Sequence, residues 1–272
     1  MNNLFGQNYP IVMGILNVTP DSFSDGGNYF QHDTAVKHVN KMIADGAAII
    51  DIGGESTRPG AEAVSIDEEC QRVIPVITAI RNESDIPISI DTSKAAVMSE
   101  AVNAGASMIN DVNALRSENA LIVSAQLDVP VCIMHMQGEP RSMQHKPAYE
   151  DVVTEIKEFL SARINDCVEA GIKHENIIVD PGFGFGKTVA HNFSLFKHLD
   201  EFLEFNVPLL IGVSRKSMIG AVLNNAPVDE RLHGSVALAT LAAWMNASIL
   251  RVHDVKATAD ALKLCWAIKE AK

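Results

Sequence analysis

The sequence predicts a single (β/α)8 barrel spanning residues 1–272, with mobile loops after its first and second strands. Three observations support this fold. The chain has 272 residues, the usual size of such a barrel. Eight short apolar segments recur along it, with amphipathic segments between them. Polar or charged residues follow nearly every apolar segment, whereas the segment starts are plain and several are marked by proline.

The eight apolar segments have the composition of parallel strands that are buried on both faces. Each is short and apolar throughout. An open doubly wound sheet is the main alternative, because it also alternates strands with helices but binds ligands at one switch point. The predicted strands are residues 11–16, 47–52, 86–90, 107–111, 130–134, 177–180, 208–213 and 248–253.

The segments between the predicted strands carry the periodicity of helices. Residues 149–170, for example, place apolar side chains at helical spacing along one face. Ser65 and Glu68 form a capping-box pattern before another helix, which Pro75 is expected to kink. The elements therefore alternate as a barrel requires.

Composition excludes several classes of function. The net charge of −12 and the lack of a basic stripe argue against nucleic-acid binding. The longest apolar run, residues 236–245, is too short to cross a bilayer, and the first residues do not resemble a signal peptide. The four cysteines are widely spaced, which favours a reducing cytoplasm over a disulfide framework.

Charged and amide side chains stand where five predicted strands end. Asp91 follows strand three and Lys216 follows strand seven, while Asn110, Asp180 and Arg251 lie near the carboxyl ends of strands four, six and eight. One such residue alone usually caps a turn. In a barrel all five would converge on one face, so the sequence predicts a pocket of mixed charge there.

Four further residues in or near the predicted strands have more ambiguous roles. Asp51 could tie down the loop after the second strand. His135 and His253 each lack the neighbouring ligands of a zinc site, so no protein-bound zinc is expected. Cys132 is expected to be a small core residue and not a nucleophile.

The segment IIVDPGFGFGKT, residues 177–188, resembles a phosphate-binding P-loop only in part. Gly186, Lys187 and Thr188 fit the second half of that pattern, but Pro181 stands where its first glycine belongs. The glycines therefore need another explanation, such as a sharp turn of the backbone beside a ligand.

Several long motifs closely resemble the dihydropteroate synthase family, from about Val12 to the last predicted helix. The resemblance implies a (β/α)8 barrel, usually a homodimer, that joins 6-hydroxymethyl-7,8-dihydropterin diphosphate to 4-aminobenzoate with Mg²⁺. The products are 7,8-dihydropteroate and pyrophosphate, in folate biosynthesis, and sulfonamides compete for the aminobenzoate site. The motifs are MGILNVTPDSFSDGG, DIGGESTRPGA, SIDTS, IND, MHMQG, DPGFGFGK, GVSRKSMIG and RVHDV.

The same resemblance implies which residues hold each part of the substrates. Lys216, Asp91 and Arg251 are the expected catalytic residues, and Lys187 is interpreted as a bystander. Asn17 is expected to help hold Mg²⁺ and the phosphates. The pterin residues would be Asp91, Asn110, Asp180, Lys216, Met134, Phe185 and Gly212; the diphosphate residues Asn17, Arg251 and His253; and the aminobenzoate residues Phe23, Thr57, Arg58, Pro59 and Ser217.

Two other functions compete with this interpretation. A methyltetrahydrofolate-dependent corrinoid methyltransferase shares the barrel and the pterin-binding Asp and Asn residues, but it does not need the two loops or the residues after strands seven and eight. A pterin-binding protein without activity would not need Lys216, Arg251 and His253. For the synthase we expect a dissociative, SN1-like displacement, in which the protein stabilises the departing diphosphate and the methylene cation.

Overall fold

The computed structural model describes residues 9–18, 28–56, 60–139 and 142–271, with the side chains of residues 28–32 excepted. All eight predicted strands are present, and each pairs in parallel with its neighbours. The strands are β1 (Ile11–Asn17), β2 (Ile49–Gly53), β3 (Ile88–Asp91), β4 (Met108–Asp111), β5 (Val131–Met134), β6 (Ile177–Asp180), β7 (Leu210–Ile211) and β8 (Ile249–Val252).

The sheet closes on itself. The strand order is β6-β5-β4-β3-β2-β1-β8-β7, and a parallel bridge between Val179 and Leu209 joins the two outer strands. The Val179 N–H donates to the carbonyl of Pro208 at 3.0 Å. The predicted barrel is therefore confirmed, and the open-sheet alternative is excluded.

Helices follow the strands around the barrel. Ser65 precedes the helix Ile66–Glu83 (α2), and its hydroxyl accepts the N–H of Glu68 at 3.2 Å, which is one half of the predicted capping box; the Glu68 carboxylate pairs with Arg72 instead. Pro75 lies inside α2 and does not end it. The described α-helices are α1 (Asn28–Ala44), α2 (Ile66–Glu83), α3 (Ala95–Asn103), α4 (Ala120–Leu127), α5 (Val152–Glu169), α6 (Val189–Lys197), α7 (Ser217–Val222), α8 (Leu232–Trp244) and α9 (Val255–Lys269).

Alternating residues of each strand divide the core into two layers. One set faces the helices and forms the larger apolar cluster. The other set points inward and fills the lower part of the barrel. The barrel interior is therefore a packed core and not a pore. Cys132 belongs to this inner layer, as predicted. The inner cluster consists of Ile11, Met13, Ile49, Met108, Cys132, Ile178, Leu210 and Ile249.

Closer to the carboxyl ends of the strands, beyond this inner cluster, the inward-facing positions become polar. In β3, Ile88 and Ile90 face the helices, while Ser89 and Asp91 take the other face, so Asp91 points inward at the carboxyl end. The register places Asp91 beside Asn110 on the neighbouring strand. The fold therefore brings the predicted strand-end residues to a single rim.

Two observations bear on the environment of the chain. No helix among the described residues is long and apolar enough to span a membrane. All four cysteines are unpaired, and three of them are buried.

The loops predicted to be mobile include residues 19–27 and 57–59, which lie outside the described residues.

Candidate active site

Arg251 stands between two carboxylates at the carboxyl end of the barrel. Its Nε donates to Asp51 Oδ2 at 2.6 Å, and its Nη2 donates to Asp91 Oδ2 at 2.7 Å. Burial raises the pKa of Asp91 to about 7, against the attraction of Arg251, and the nearby Asp51 adds to the rise. The guanidinium keeps its charge, because the two carboxylates raise its pKa despite the burial. The site therefore brings two carboxyl groups to one charged guanidinium.

Asn110 is tied to the same group through Asp51. Its Nδ2 lies 3.2 Å from Asp51 Oδ2 and 3.4 Å from Oδ1, and both residues are buried. Asp51 was predicted only to tie down the loop after β2. The structure instead places it inside the barrel, in contact with two predicted substrate residues.

Asp180 occupies the inner face at the end of β6. Its Oδ1 accepts the N–H of Gly182 at 2.7 Å, which fixes the carboxylate. Burial raises the pKa of Asp180, and the positive charge of Lys216 opposes that shift. A Cβ built on Gly212 would lie 3.8 Å from Asp180 Oδ2, so this glycine keeps space open beside the carboxylate.

Lys216 extends from the turn after β7 to the loop after β6. Its Nζ donates to the carbonyl of Phe183 and lies 4.7 Å from the centroid of the Phe185 ring. Burial lowers the pKa of Lys216 to about 8, while the charge of Asp180 opposes the shift. The amine is thus poised near Asp180 and over an aromatic face.

The loop after β6 depends on its glycines for shape. Gly182 has φ +72°, and a Cβ there would lie 1.8 Å from the carbonyl oxygen of His135. Gly186 has φ +63°, and its Cβ would lie 2.5 Å from the carbonyl oxygen of Gln137. Larger residues would force this loop away from β5. The expectation that the glycines serve a sharp turn is confirmed.

Lys187 is not a bystander, and that prediction was wrong. The residue is only 3% exposed. Its Nζ donates to the carbonyls of Gly182 at 2.7 Å and Phe185 at 3.0 Å, and lies 3.0 Å from His135 Nδ1. Burial and the charge of Lys187 lower the pKa of His135 to about 2, so the ring is neutral and can accept. Lys187 thus holds the loop after β6 in place through buried hydrogen bonds.

Methionines form an apolar wall of the pocket. The predicted wall residues Met134 and Phe185 lie together, and the structure adds Met136, Met143 and Val112 to the same cluster. Nothing in their spacing marked the added residues as part of this site, because they follow irregular segments whose path depends on the whole fold.

The remaining predicted residues lie around the rim. Asn17 ends β1 and pairs in register with Gly53 of β2. His253 is exposed, and both its N–H and its Nδ1 lie close to Ser214 Oγ, at 3.1 and 3.0 Å. Ser217 is exposed in the first turn of α7. The residues predicted for aminobenzoate at Phe23, Thr57, Arg58 and Pro59 lie outside the described residues.

The described ends of the loop after β2 are held by charged side chains that the sequence did not reveal. Lys94 Nζ lies 2.5 Å from both Glu55 and Glu69. Glu55 also accepts the N–H of Val64 at 3.0 Å, and Arg72 donates to the carbonyl of Gly54 at 2.7 Å. Lys94 is 39 positions from Glu55 and 25 positions from Glu69, so spacing along the sequence does not predict these two ion pairs.

A cleft of about 330 Å³ opens beside Asp91, under the loops that follow strands β2 to β5. Its walls combine acidic groups with hydroxyl, amide and apolar side chains. No cluster of three or more metal-binding acids, histidines or cysteines occurs in the described part of the chain. The cleft is lined by Glu55, Ser56, Ala61, Ala63, Glu69, Asp91, Thr92, Ser93, Val112, Asn113, Met136, Gly138 and Glu139.

Solved structures of known proteins resemble this barrel over most of its length. A Yersinia pestis dihydropteroate synthase with a sulfonamide drug complex matches with a TM-score of 0.92 and 52% identity, covering 97% of this chain and 95% of the other. A Xanthomonas albilineans dihydropteroate synthase in complex with 7,8-dihydropteroate matches with a TM-score of 0.88 and 46% identity over the same shares.

Sequence relatives point to the same group. The pterin binding enzyme family matches residues 13–253. The dihydropteroate synthase of Haemophilus influenzae is 55% identical over 270 residues, covering 99% of this chain and 98% of that protein. That of Escherichia coli is 54% identical, with 97% and 93% covered. The chain belongs to the dihydropteroate synthases of the pterin-binding enzyme family.

Proposed function

We propose that this chain condenses 6-hydroxymethyl-7,8-dihydropterin diphosphate with 4-aminobenzoate, releasing pyrophosphate and 7,8-dihydropteroate. The observation that carries the proposal is the convergence of Asp180, Asn110, Lys216 and the Asp91–Arg251 pair at one end of the barrel. Family membership supports it, since a relative structure contains 7,8-dihydropteroate and another contains 4-aminobenzoic acid.

The pterin ring would occupy the space between Asp180 and Lys216. A carboxylate can accept both the ring N–H and the exocyclic amino group of a pterin. Asp180 is suited to this because the Gly182 N–H holds its orientation. Lys216 would release the Phe183 carbonyl and donate to the pterin carbonyl instead. Asn110, Met134, Phe185 and Gly212 would complete the ring pocket.

The diphosphate would lie toward Arg251, His253 and Asn17. Asn17 offers an amide oxygen at the end of β1, and Mg²⁺ accepts such a ligand while keeping waters and phosphate oxygens. The residues present therefore fit a magnesium ion that arrives largely with the diphosphate. Bound there, the ion would neutralise charge on the leaving group. Arg251 would contribute positive charge from the protein itself.

In the reaction, the carbon–oxygen bond to the diphosphate breaks and the bonding electron pair leaves with the diphosphate. The aniline nitrogen then bonds to the methylene carbon and gives a proton to water. The Asp91 carboxylate would stabilise positive charge that develops on the pterin. Ser217, Phe23, Thr57, Arg58 and Pro59 would hold the aminobenzoate, where sulfonamides would compete.

Pyrophosphate release provides the direct test. Purified protein is mixed with the pterin diphosphate, with and without 4-aminobenzoate and Mg²⁺. We expect rapid release and dihydropteroate formation only when all three are present. Equal release without aminobenzoate would show hydrolysis and would contradict the proposed condensation. Methyl transfer from methyltetrahydrofolate, with no condensation, would favour the corrinoid methyltransferase.

We also propose a cytoplasmic homodimer in which residues 1–272 form one domain. Unpaired thiols support the reducing compartment. The outer surfaces of α8 and α9 expose large apolar side chains, including Trp244, Leu264 and Ile268. A second copy would cover such a surface. Light scattering at micromolar concentration should give twice the chain mass of 29.4 kDa, and a monomer mass would contradict the dimer.

A further inference from the structure

Asp51 contacts two residues assigned to different parts of one substrate. Its Oδ2 accepts from Arg251 Nε at 2.6 Å and from Asn110 Nδ2 at 3.2 Å. Asn110 is assigned to the pterin ring and Arg251 to the diphosphate. Asp51 itself has no solvent exposure, so it can act on the substrate only through these neighbours.

We infer that Asp51 is a positioning residue that couples recognition of the pterin ring to recognition of the diphosphate. The inference rests on the substrate roles proposed above for Asn110 and Arg251. It adds to them a single carboxylate that sets the orientation of both side chains.

Asp51 determines which amide atom Asn110 presents to the pocket. A carboxylate only accepts hydrogen bonds, so it pairs with the amide nitrogen and not with the amide oxygen. Because Nδ2 is directed to Asp51, Oδ1 is left for the ring edge. Without the carboxylate, the amide could rotate and present the wrong group to the pterin.

Asp51 also fixes the plane of the Arg251 guanidinium. The guanidinium is planar, with five N–H donors in a rigid fork. Asp51 holds Nε while Asp91 holds Nη2, so two contacts define the plane and hence the direction of the other donors. Those donors are the ones that can meet phosphate oxygens.

The coupling crosses the barrel interior and does not follow the sheet. Asn110 is on β4 and Arg251 is on β8, and three strands separate them in the sheet order. Asp51 on β2 lies between them and reaches both with its side chain. Binding at one end of the substrate can therefore order the residue that serves the other end.

The test uses the variant Asp51→Asn and two separate ligands, 6-hydroxymethylpterin and inorganic pyrophosphate with Mg²⁺. Isothermal titration measures each dissociation constant. We expect Asp51→Asn to weaken both ligands roughly 10-fold or more, as when an orienting partner of a ligand-binding side chain is removed. Unchanged affinity for either ligand would overturn the inference.

Double variants separate positioning from general damage. In an Asn110→Ala background, Asp51→Asn should no longer weaken the pterin but should still weaken pyrophosphate. In an Arg251→Gln background, the pattern should reverse. If Asp51→Asn weakens both ligands equally in every background, the residue is merely structural and the inference fails.

Asp111→Asn is the matched control. Asp111 is also a buried carboxylate, but it accepts from Ser93 and from the N–H groups of Asn113 and Leu115. The Asp111→Asn variant should lower the melting temperature, while the affinities for 6-hydroxymethylpterin and pyrophosphate stay within about twofold of wild type. If Asn110→Ala and Arg251→Gln alone keep wild-type affinities, the proposed substrate roles fail. If they weaken binding and Asp51→Asn does not, only the inference about Asp51 fails.

Discussion

Asp91 and Arg251 are 160 positions apart in the chain, yet Asp91 Oδ2 lies 2.7 Å from Arg251 Nη2. Arg251 also pairs with Asp51, so two carboxylates share one guanidinium. Burial raises the pKa of Asp91 to about 7; the charge of Arg251 opposes this rise and the nearby Asp51 adds to it. On the other side of the pocket, burial lowers the pKa of Lys216 to about 8.

These two shifts predict a bell-shaped dependence of kcat/KM on pH. The Asp91 carboxylate forms as pH rises through about 7, and the Lys216 ammonium is lost as pH rises through about 8. Activity should therefore rise across the first value and fall across the second. The profile should be recorded with saturating 4-aminobenzoate and varied pterin diphosphate. Asp91→Asn should remove the acidic limb, and an acidic limb that persists in it would assign that limb to another group.

Asp180→Asn should weaken the pterin without unfolding the protein. Asparagine keeps an oxygen for the Gly182 N–H but presents a donor where the pterin also donates. Losing a hydrogen bond to a charged group costs about 1.5–3 kcal/mol, or roughly 10- to 150-fold in dissociation constant. Titration with 6-hydroxymethylpterin measures this. The control is Asp260→Asn on the surface of α9, and equal losses in both variants would refute the assignment of Asp180.

Lys187→Met should lower both stability and pterin affinity. Methionine matches the length of the side chain but leaves the carbonyls of Gly182 and Phe185 without their buried donor. Each unsatisfied group costs about 1–3 kcal/mol. Urea denaturation should show a lower midpoint with an unchanged slope. Lys197→Met, at an exposed position of α6, should change neither property, and a Lys187→Met midpoint equal to wild type would contradict the role of Lys187.

Lys94→Met should be strongly destabilising, because it leaves the fully buried Glu69 carboxylate without its cation. Burial disfavours the charge of Lys94, but hydrogen bonds from Lys94 to Glu55 and Glu69 raise its pKa. Breaking a buried pair typically costs about 3–5 kcal/mol. Adding Glu69→Gln should recover part of that loss, because the uncompensated charge is removed. Unfolding free energies of the four proteins give the coupling, and strictly additive losses would argue against the pair.

Ser217→Ala tests the aminobenzoate subsite. The residue is exposed in the first turn of α7, so the substitution should leave folding intact. We expect a higher KM for 4-aminobenzoate with unchanged affinity for 6-hydroxymethylpterin. A rise in KM for the pterin diphosphate instead would place Ser217 in the other subsite.

The eight strands and the residues near their carboxyl ends could be predicted from the amino-acid sequence alone. Strand and helix patterns depend on neighbours within a few positions, and a parallel barrel always collects strand ends at one face. That is why Asp91, Asn110, Asp180, Lys216 and Arg251 could be predicted to converge. The family motifs, which are likewise local, predicted the synthase family that the comparisons show.

How these side chains pair could not be predicted from the sequence, because the pairing depends on the closed barrel. Asp51 meets Asn110 and Arg251, which lie 59 and 200 positions away, because barrel closure and strand register bring inward positions together. Lys187 is local in sequence, but its buried role depends on the close approach of the loop to β5. Such pairings arise from packing across the barrel, and no periodicity along the chain encodes them.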